Sequence, residues 1–190
     1  MKNVFIAILL VGLSSFSFIG DEIDYNHKTV MKTLIKNGNM TNPSFEEILL
    51  PKNIEDSYNF QGKFFTVVDS NDNTIKTIYI GRVNSCRAGG CSISNTEMNG
   101  PSEYFDYMVC FDINNVVVLV KVFNYQATHG HEVTAKGWLK QFEGYSSGNR
   151  LEVGKNVDSI SGATISVNGI TKDITEKTKV LVAIKNATPH

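Results

Sequence analysis

"EYFDYMVCFDINNVVVLVKVFNY", residues 103–125, holds two runs rich in aromatic and β-branched side chains, separated by "INN". Such side chains suit a pleated surface, and asparagines close turns, so the stretch predicts strand, turn, strand. Its second run is the most apolar beyond the amino terminus, which predicts that this hairpin lies at the centre of a sheet. The same grammar occurs upstream. "GKFFTVVD" (62–69) and "TIKTIYIGRV" (74–83) flank "SNDN" and predict a first hairpin.

Helical patterns surround the two hairpins. In residues 22–38, Ile23, Val30, Met31, Leu34 and Ile35 fall near helical spacing and Gly38 supplies a stop. An irregular stretch containing Pro43 and Pro51 follows. Trp138, Leu139 and Phe142, bounded by Gly137 and Gly144, predict a short helix with an aromatic face, Trp138 serving as a core anchor. From Ser166 to Asn186, Val167, Ile170, Ile174, Leu181 and Ile184 keep a helical period, with Asp173 four residues before Lys177. Gly169 and the β-branched residues weaken that helix, and a closing strand at "KVLVAI" (179–184) is the alternative to its second half. The fold class expected is α+β, an antiparallel sheet of two hairpins packed with helices.

Length and charge narrow the function. A chain of 190 residues with 42% hydrophobic residues supports one core. With 18 Lys+Arg against 19 Asp+Glu there is no broad basic field, and nucleic acid is not expected as a partner. The amino terminus, "MKNVFIAILLVGLSSFSF", has Lys2, an apolar run from Val4 to Leu13 and a serine-rich shoulder at Ser15 and Ser17. That is the layout of a secretory signal peptide, its core shorter than the roughly 20 residues of a membrane-spanning helix. Residues 1–20 are expected to be a signal peptide, and 21–190 a single exported domain.

Export makes a disulfide the expected state of Cys86 and Cys91, which bracket "RAGG". Cys110, in an apolar run, reads as a buried free thiol. Cys86, Cys91, His129 and His131 together make a Cys2His2 set, but their spacing matches no familiar zinc pattern, and no metal is expected. No hydrolase-like triad with matched spacing is visible either, so no catalytic residue is assigned.

"DSISGAT", residues 158–164, puts small and hydroxyl-bearing side chains just before the last helical pattern. A helix start offers unpaired backbone N–H groups and the positive end of the dipole, a place suited to phosphate. Ser161 and Thr164 add hydroxyls, Gly162 and Ala163 permit close approach, and Asp158 can fix the turn. An ordinary N-cap explains the same residues.

This stretch resembles the D-x-x-[ST]-G-A-[ST] motif of FMN-binding domains related to the covalently flavinylated subunits of the sodium-pumping NADH:quinone oxidoreductase and of the Rnf electron-transport complexes. The resemblance covers roughly residues 100–185. It implies FMN bound covalently through a phosphoester to Thr164, installed by an FAD-dependent flavin transferase. It also implies that Asp158, Ser161, Gly162 and Ala163 belong to the cofactor site. The related E-T-P-G motif corresponds to "ATHG" at 127–130: Thr128 and Gly130 match, whereas Ala127 and His129 depart. Thr128, His129 and Gly130 are therefore expected near the flavin, with His131 beside them. The implied function is an electron-transferring flavoprotein, in the periplasm or on the outer face of the cytoplasmic membrane, with its electron donor and acceptor unidentified. A binding or sensory module of the same fold, and a flavin-dependent reductase of a small molecule, are the alternatives.

Overall fold

The computed structural model describes residues 22–58, 60–70, 74–87 and 102–187, with the side chains of Cys86, Arg87 and Ser102 left out. Five strands form one antiparallel sheet in the order β1-β2-β3-β4-β5. They are β1 (Ser44–Glu47), β2 (Gly62–Val68), β3 (Thr77–Arg87), β4 (Ser102–Phe111) and β5 (Val117–Tyr125). Helix α1 (Lys28–Asn37) precedes them, α2 (Lys52–Glu55) lies between β1 and β2, and α3 (Lys136–Leu139) and α4 (Thr164–Ala187) follow. The α+β expectation holds, with β1 and α2 appearing in the stretch read from sequence as irregular.

Alternation along the strands divides the core between the two faces of the sheet. Phe64, Tyr79, Val83, Phe105, Tyr107, Val109 and Phe111 cluster with Val167, Ile170, Ile174, Leu181 and Ile184 of α4. Phe65, Val67, Ile78, Ile80, Met108, Cys110 and Phe123 cluster with Val30 and Leu34 of α1. Cys110 is a free, fully buried thiol, as its apolar run predicts. The strong burial pushes its pKa far up and keeps it protonated.

The turn between β4 and β5 closes on Asp112, whose Oδ1 accepts the amides of Asn114 (2.9 Å) and Val116 (2.8 Å), with Asn115 in the left-handed region at φ 61°. The prediction that this hairpin is central does not hold: β3 is the middle strand and β5 is an edge. The apolar run of β5 reflects burial on both faces, which an edge strand also reaches when other elements cover it. His27 stacks on Phe123 at 4.9 Å on one face. The 142–145 segment closes the start of its outer edge, through Val117 N to Tyr145 O and Gly144 N to Val117 O, each 2.8 Å.

The last helical pattern is one helix of 24 residues, so "KVLVAI" is not a strand. Its β-branched residues are accommodated from within. The hydroxyls of Thr171, Thr175 and Thr178 each donate to the carbonyl four residues back at 2.7 Å, which satisfies them without an outside partner. At Gly169 a β-carbon would stand 2.7 Å from Val83 Cγ1, so its absence lets α4 lie close on β3. The pair read as Asp173–Lys177 forms at 2.9 Å, but inside the protein: Lys177 is 1% exposed, with its ammonium 5.1 Å from the Phe60 ring centre. Asp173, partly exposed, also accepts the Tyr107 hydroxyl at 2.7 Å, so the buried Lys177 ammonium meets a hydrogen-bonded carboxylate.

Candidate functional site

Two loops meet at the end of the sheet where β5 stops and α4 begins. The first follows Tyr125, whose ring stacks on Phe105 at 5.5 Å and whose hydroxyl donates to the His129 carbonyl at 2.5 Å. Burial raises the pKa of this phenol above its usual range, so it stays a donor. Gly130 then turns through φ 86°, where an L side chain is strained. A β-carbon there would also stand 3.1 Å from Ala163 Cβ and Ser166 Oγ, and 3.2 Å from the Tyr125 hydroxyl. Glycine is required for both conformation and space, and this close approach is what joins "THG" to the start of α4.

The second loop carries residues 158–163. Asp158 was expected to fix this turn through its carboxylate; instead its main chain is held. Its amide donates to Gln141 Oε1 at 2.7 Å, and its carbonyl accepts Trp138 Nε1–H at 2.9 Å. Trp138, partly buried against the core with Phe142, thus anchors the loop as well as the core. Gly162 has φ 80° with open space around it, so its role is conformational. Ala163 is buried, and its amide donates to Ile160 O at 3.1 Å. Thr164 is the first residue of α4 and is exposed, as are Ser161 and Gly162.

Two further contacts brace the junction. Ser166 Oγ lies 2.8 Å from Ser85 Oγ of β3, tying the first turn of α4 to the sheet. Glu103 of β4, 9% exposed, accepts the Thr128 amide at 3.0 Å and the Thr128 hydroxyl. These donors, the hydroxyl first, hold the Glu103 carboxyl below the usual glutamate range. Sequence reading missed Glu103, Ser85 and Tyr125, and took Ser166 only as an alternative hydroxyl for attachment. The one available signal was Glu103 itself, a charge at the head of the otherwise apolar row Phe105, Tyr107, Val109, Phe111.

Of the expected site residues, Gly130 and Ala163 touch across the junction, and Ser161, Gly162 and Thr164 form its exposed rim. Thr128 is turned to Glu103, while His129 and His131 are exposed, the His131 ring set edge-on to Tyr125 at 5.2 Å. Ala127 and the exposed Gln126 complete this loop, which contains no acid of its own. Residues 88–101, Cys91 among them, and residues 1–20 lie outside the described residues, and so do the expected disulfide and signal peptide. Among the described residues no cluster of three or more His, Cys, Asp or Glu forms, and no helix is long and apolar enough to cross a membrane.

The chemistry of this rim suits FMN. Exposed hydroxyls stand at the positive end of a 24-residue helix, with nothing above Gly162, an arrangement that accepts a phosphate. A cavity of about 690 Å³ opens elsewhere, among Ile48, Leu50, Phe60, Gln61 and Arg82, and none of residues 128–130 or 158–164 lines it. The family model described as the FMN-binding domain matches residues 100–186. No curated protein matches the chain. That match begins just before β4 and takes in β5, both loops and nearly all of α4, the elements that build the junction. The match supports an FMN-binding domain over residues 100–186, and with it a flavin-binding protein.

Proposed function

We propose that this chain is an exported flavoprotein that carries FMN as a phosphoester of Thr164 and passes electrons between redox partners. The observation that supports it is the position of Thr164: an exposed hydroxyl on the first residue of α4, at the end of "DSISGAT", within the FMN-binding domain. The bound isoalloxazine supplies one- and two-electron chemistry. The protein's own residues do the rest. Gly162 sets the turn that presents Thr164, Trp138 and Gln141 hold that turn in place, and the amides of the first helical turn would hold the phosphate. Gly130 and Ala163 keep the junction closed underneath. Attachment needs an FAD-dependent flavin transferase: the Thr164 Oγ–P bond forms, the pyrophosphate bond of FAD breaks, AMP leaves, and the hydroxyl proton is lost. Covalent attachment suits a protein beyond the cytoplasmic membrane, where lost cofactor is not readily replaced.

Co-production with a flavin transferase followed by intact-mass measurement tests the reading. Wild type is expected to gain one FMN-sized adduct, and Thr164→Val to gain none while keeping its fold, because valine preserves shape and removes the ester oxygen. An undiminished adduct on Thr164→Val would move the attachment to another hydroxyl, Ser161 first.

A further inference from the structure

The β4 side chains turned toward α4 run Glu103, Phe105, Tyr107, Val109, Phe111. A carboxylate at the end of such a row, 9% exposed, costs free energy unless its lone pairs are filled. Among the described residues, its two donors both belong to Thr128, one from the main chain and one from the side chain. Glu103 thus directs its hydrogen bonds at the loop rather than at the sheet that carries it. The loop is then held at three successive residues: Thr128 by Glu103, the His129 carbonyl by Tyr125, and Gly130 by contact with Ala163 and Ser166. Ala163 and Ser166 lie on either side of Thr164 and its neighbour Ile165, so whatever fixes Thr128 fixes the wall beside the attachment point. The loop segment 126–130 has no carboxylate, and the anchoring charge comes from the neighbouring strand.

We propose that Glu103 is a positioning residue of the flavin site, acting through Thr128 to set the 128–130 loop against the start of α4 and so to define the surroundings of the bound flavin. The proposal rests on the reading that Thr164 carries FMN. A carboxylate acceptor suits this role because hydrogen bonds to a charged acceptor are about twice as strong as neutral ones, and two from one residue fix its orientation as well as its place.

The test uses flavinylated full-length protein, comparing wild type with Glu103→Gln, Thr128→Val and Thr128→Ser, and with Glu55→Gln as a remote exposed control. Adduct mass, visible circular dichroism of the flavin and its midpoint potential are read on each. Glu103→Gln and Thr128→Val are expected to shift both the dichroism and the potential from wild type. Thr128→Ser, which keeps the hydroxyl, restores both, and Glu55→Gln moves neither. Spectra and potentials of Glu103→Gln and Thr128→Val that superimpose on wild type, with the adduct intact, would overturn the proposal and leave Thr164 in place. Wild type without an adduct on Thr164 would overturn the reading beneath it, and the proposal with it. If Glu103→Gln does not fold, the Thr128→Val and Thr128→Ser pair decides alone.

Discussion

Glu103 and Asp106 leave the same strand on opposite faces, and each buried carboxylate is satisfied differently. Asp106, fully buried, meets Arg82 through Nε at 2.7 Å and Nη2 at 3.0 Å, and accepts Asn124 Nδ2–H at 2.7 Å. The Arg82 guanidinium lies 3.5 Å from the centre of the Tyr104 ring. Every partner in that group stands on a strand, so the charge is neutralised inside the sheet. Among the described side chains, no Lys or Arg pairs with Glu103. Its donors are neutral and sit on a loop that touches the start of α4. The contrast separates two uses of a buried acid: one closes the sheet on itself, the other ties a loop to it.

Breaking the first should have the largest effect. Asp106→Ala leaves Arg82 without its carboxylate in a site where its side chain is only 15% exposed, and a cost of about 3–5 kcal/mol is expected. Urea unfolding measures it, and the adduct per folded molecule should be unchanged. A loss under 1 kcal/mol would show that water replaces the carboxylate readily, and the contrast with Glu103 would fail.

The loop side is sharpened by its two glycines, which share a positive φ and differ in surroundings. Gly162→Ala places a β-carbon in open space, so it should cost only the left-handed penalty, ~1–2 kcal/mol. Gly130→Ala pays the same penalty and also presses on Ala163 and Ser166, so it should be the more destabilising of the two. Equal losses in thermal unfolding would mean that the loop moves off α4 at no cost, and that the junction is not tightly packed.

Acid should produce the smallest effect, with a defined sign. The folded pKa of Glu103 is depressed by Thr128, so its contribution is complete above the unfolded glutamate value of about 4.3 and is lost as pH falls through the lower folded value. The stability gap between wild type and Glu103→Gln should therefore be constant near neutrality and narrow below about pH 4. A gap that stays open at the lowest pH at which both fold would assign the mutant's defect to shape instead of charge.

Much of this was legible because it is local. The "INN" turn, the helical period of α4 and the rim of "DSISGAT" depend on neighbours in sequence, and each stands where its residues predict. Strand β1 was not legible, since Ser44–Glu47, with Pro43 before them, become a strand only by pairing with Phe65–Val68 of β2. The position of β5 was misread because an apolar run reports burial, and burial does not distinguish a central strand from a covered edge. Asp158 was expected to fix its turn through its side chain, but the bonds at this residue are to its main chain and come from Trp138 and Gln141, on a segment the spacing could not place beside it.

By itself, then, the sequence determined the hairpins, the first half of the last helix and the hydroxyl at its head, because backbone propensity and turn chemistry act over a few residues. The tertiary structure decided which strand is central, that Lys177 is buried where it pairs with Asp173, and that Glu103 reaches Thr128 and Ser166 reaches Ser85. Those contacts join residues far apart in the chain, and only the packing of α4 across the sheet brings them within hydrogen-bonding distance.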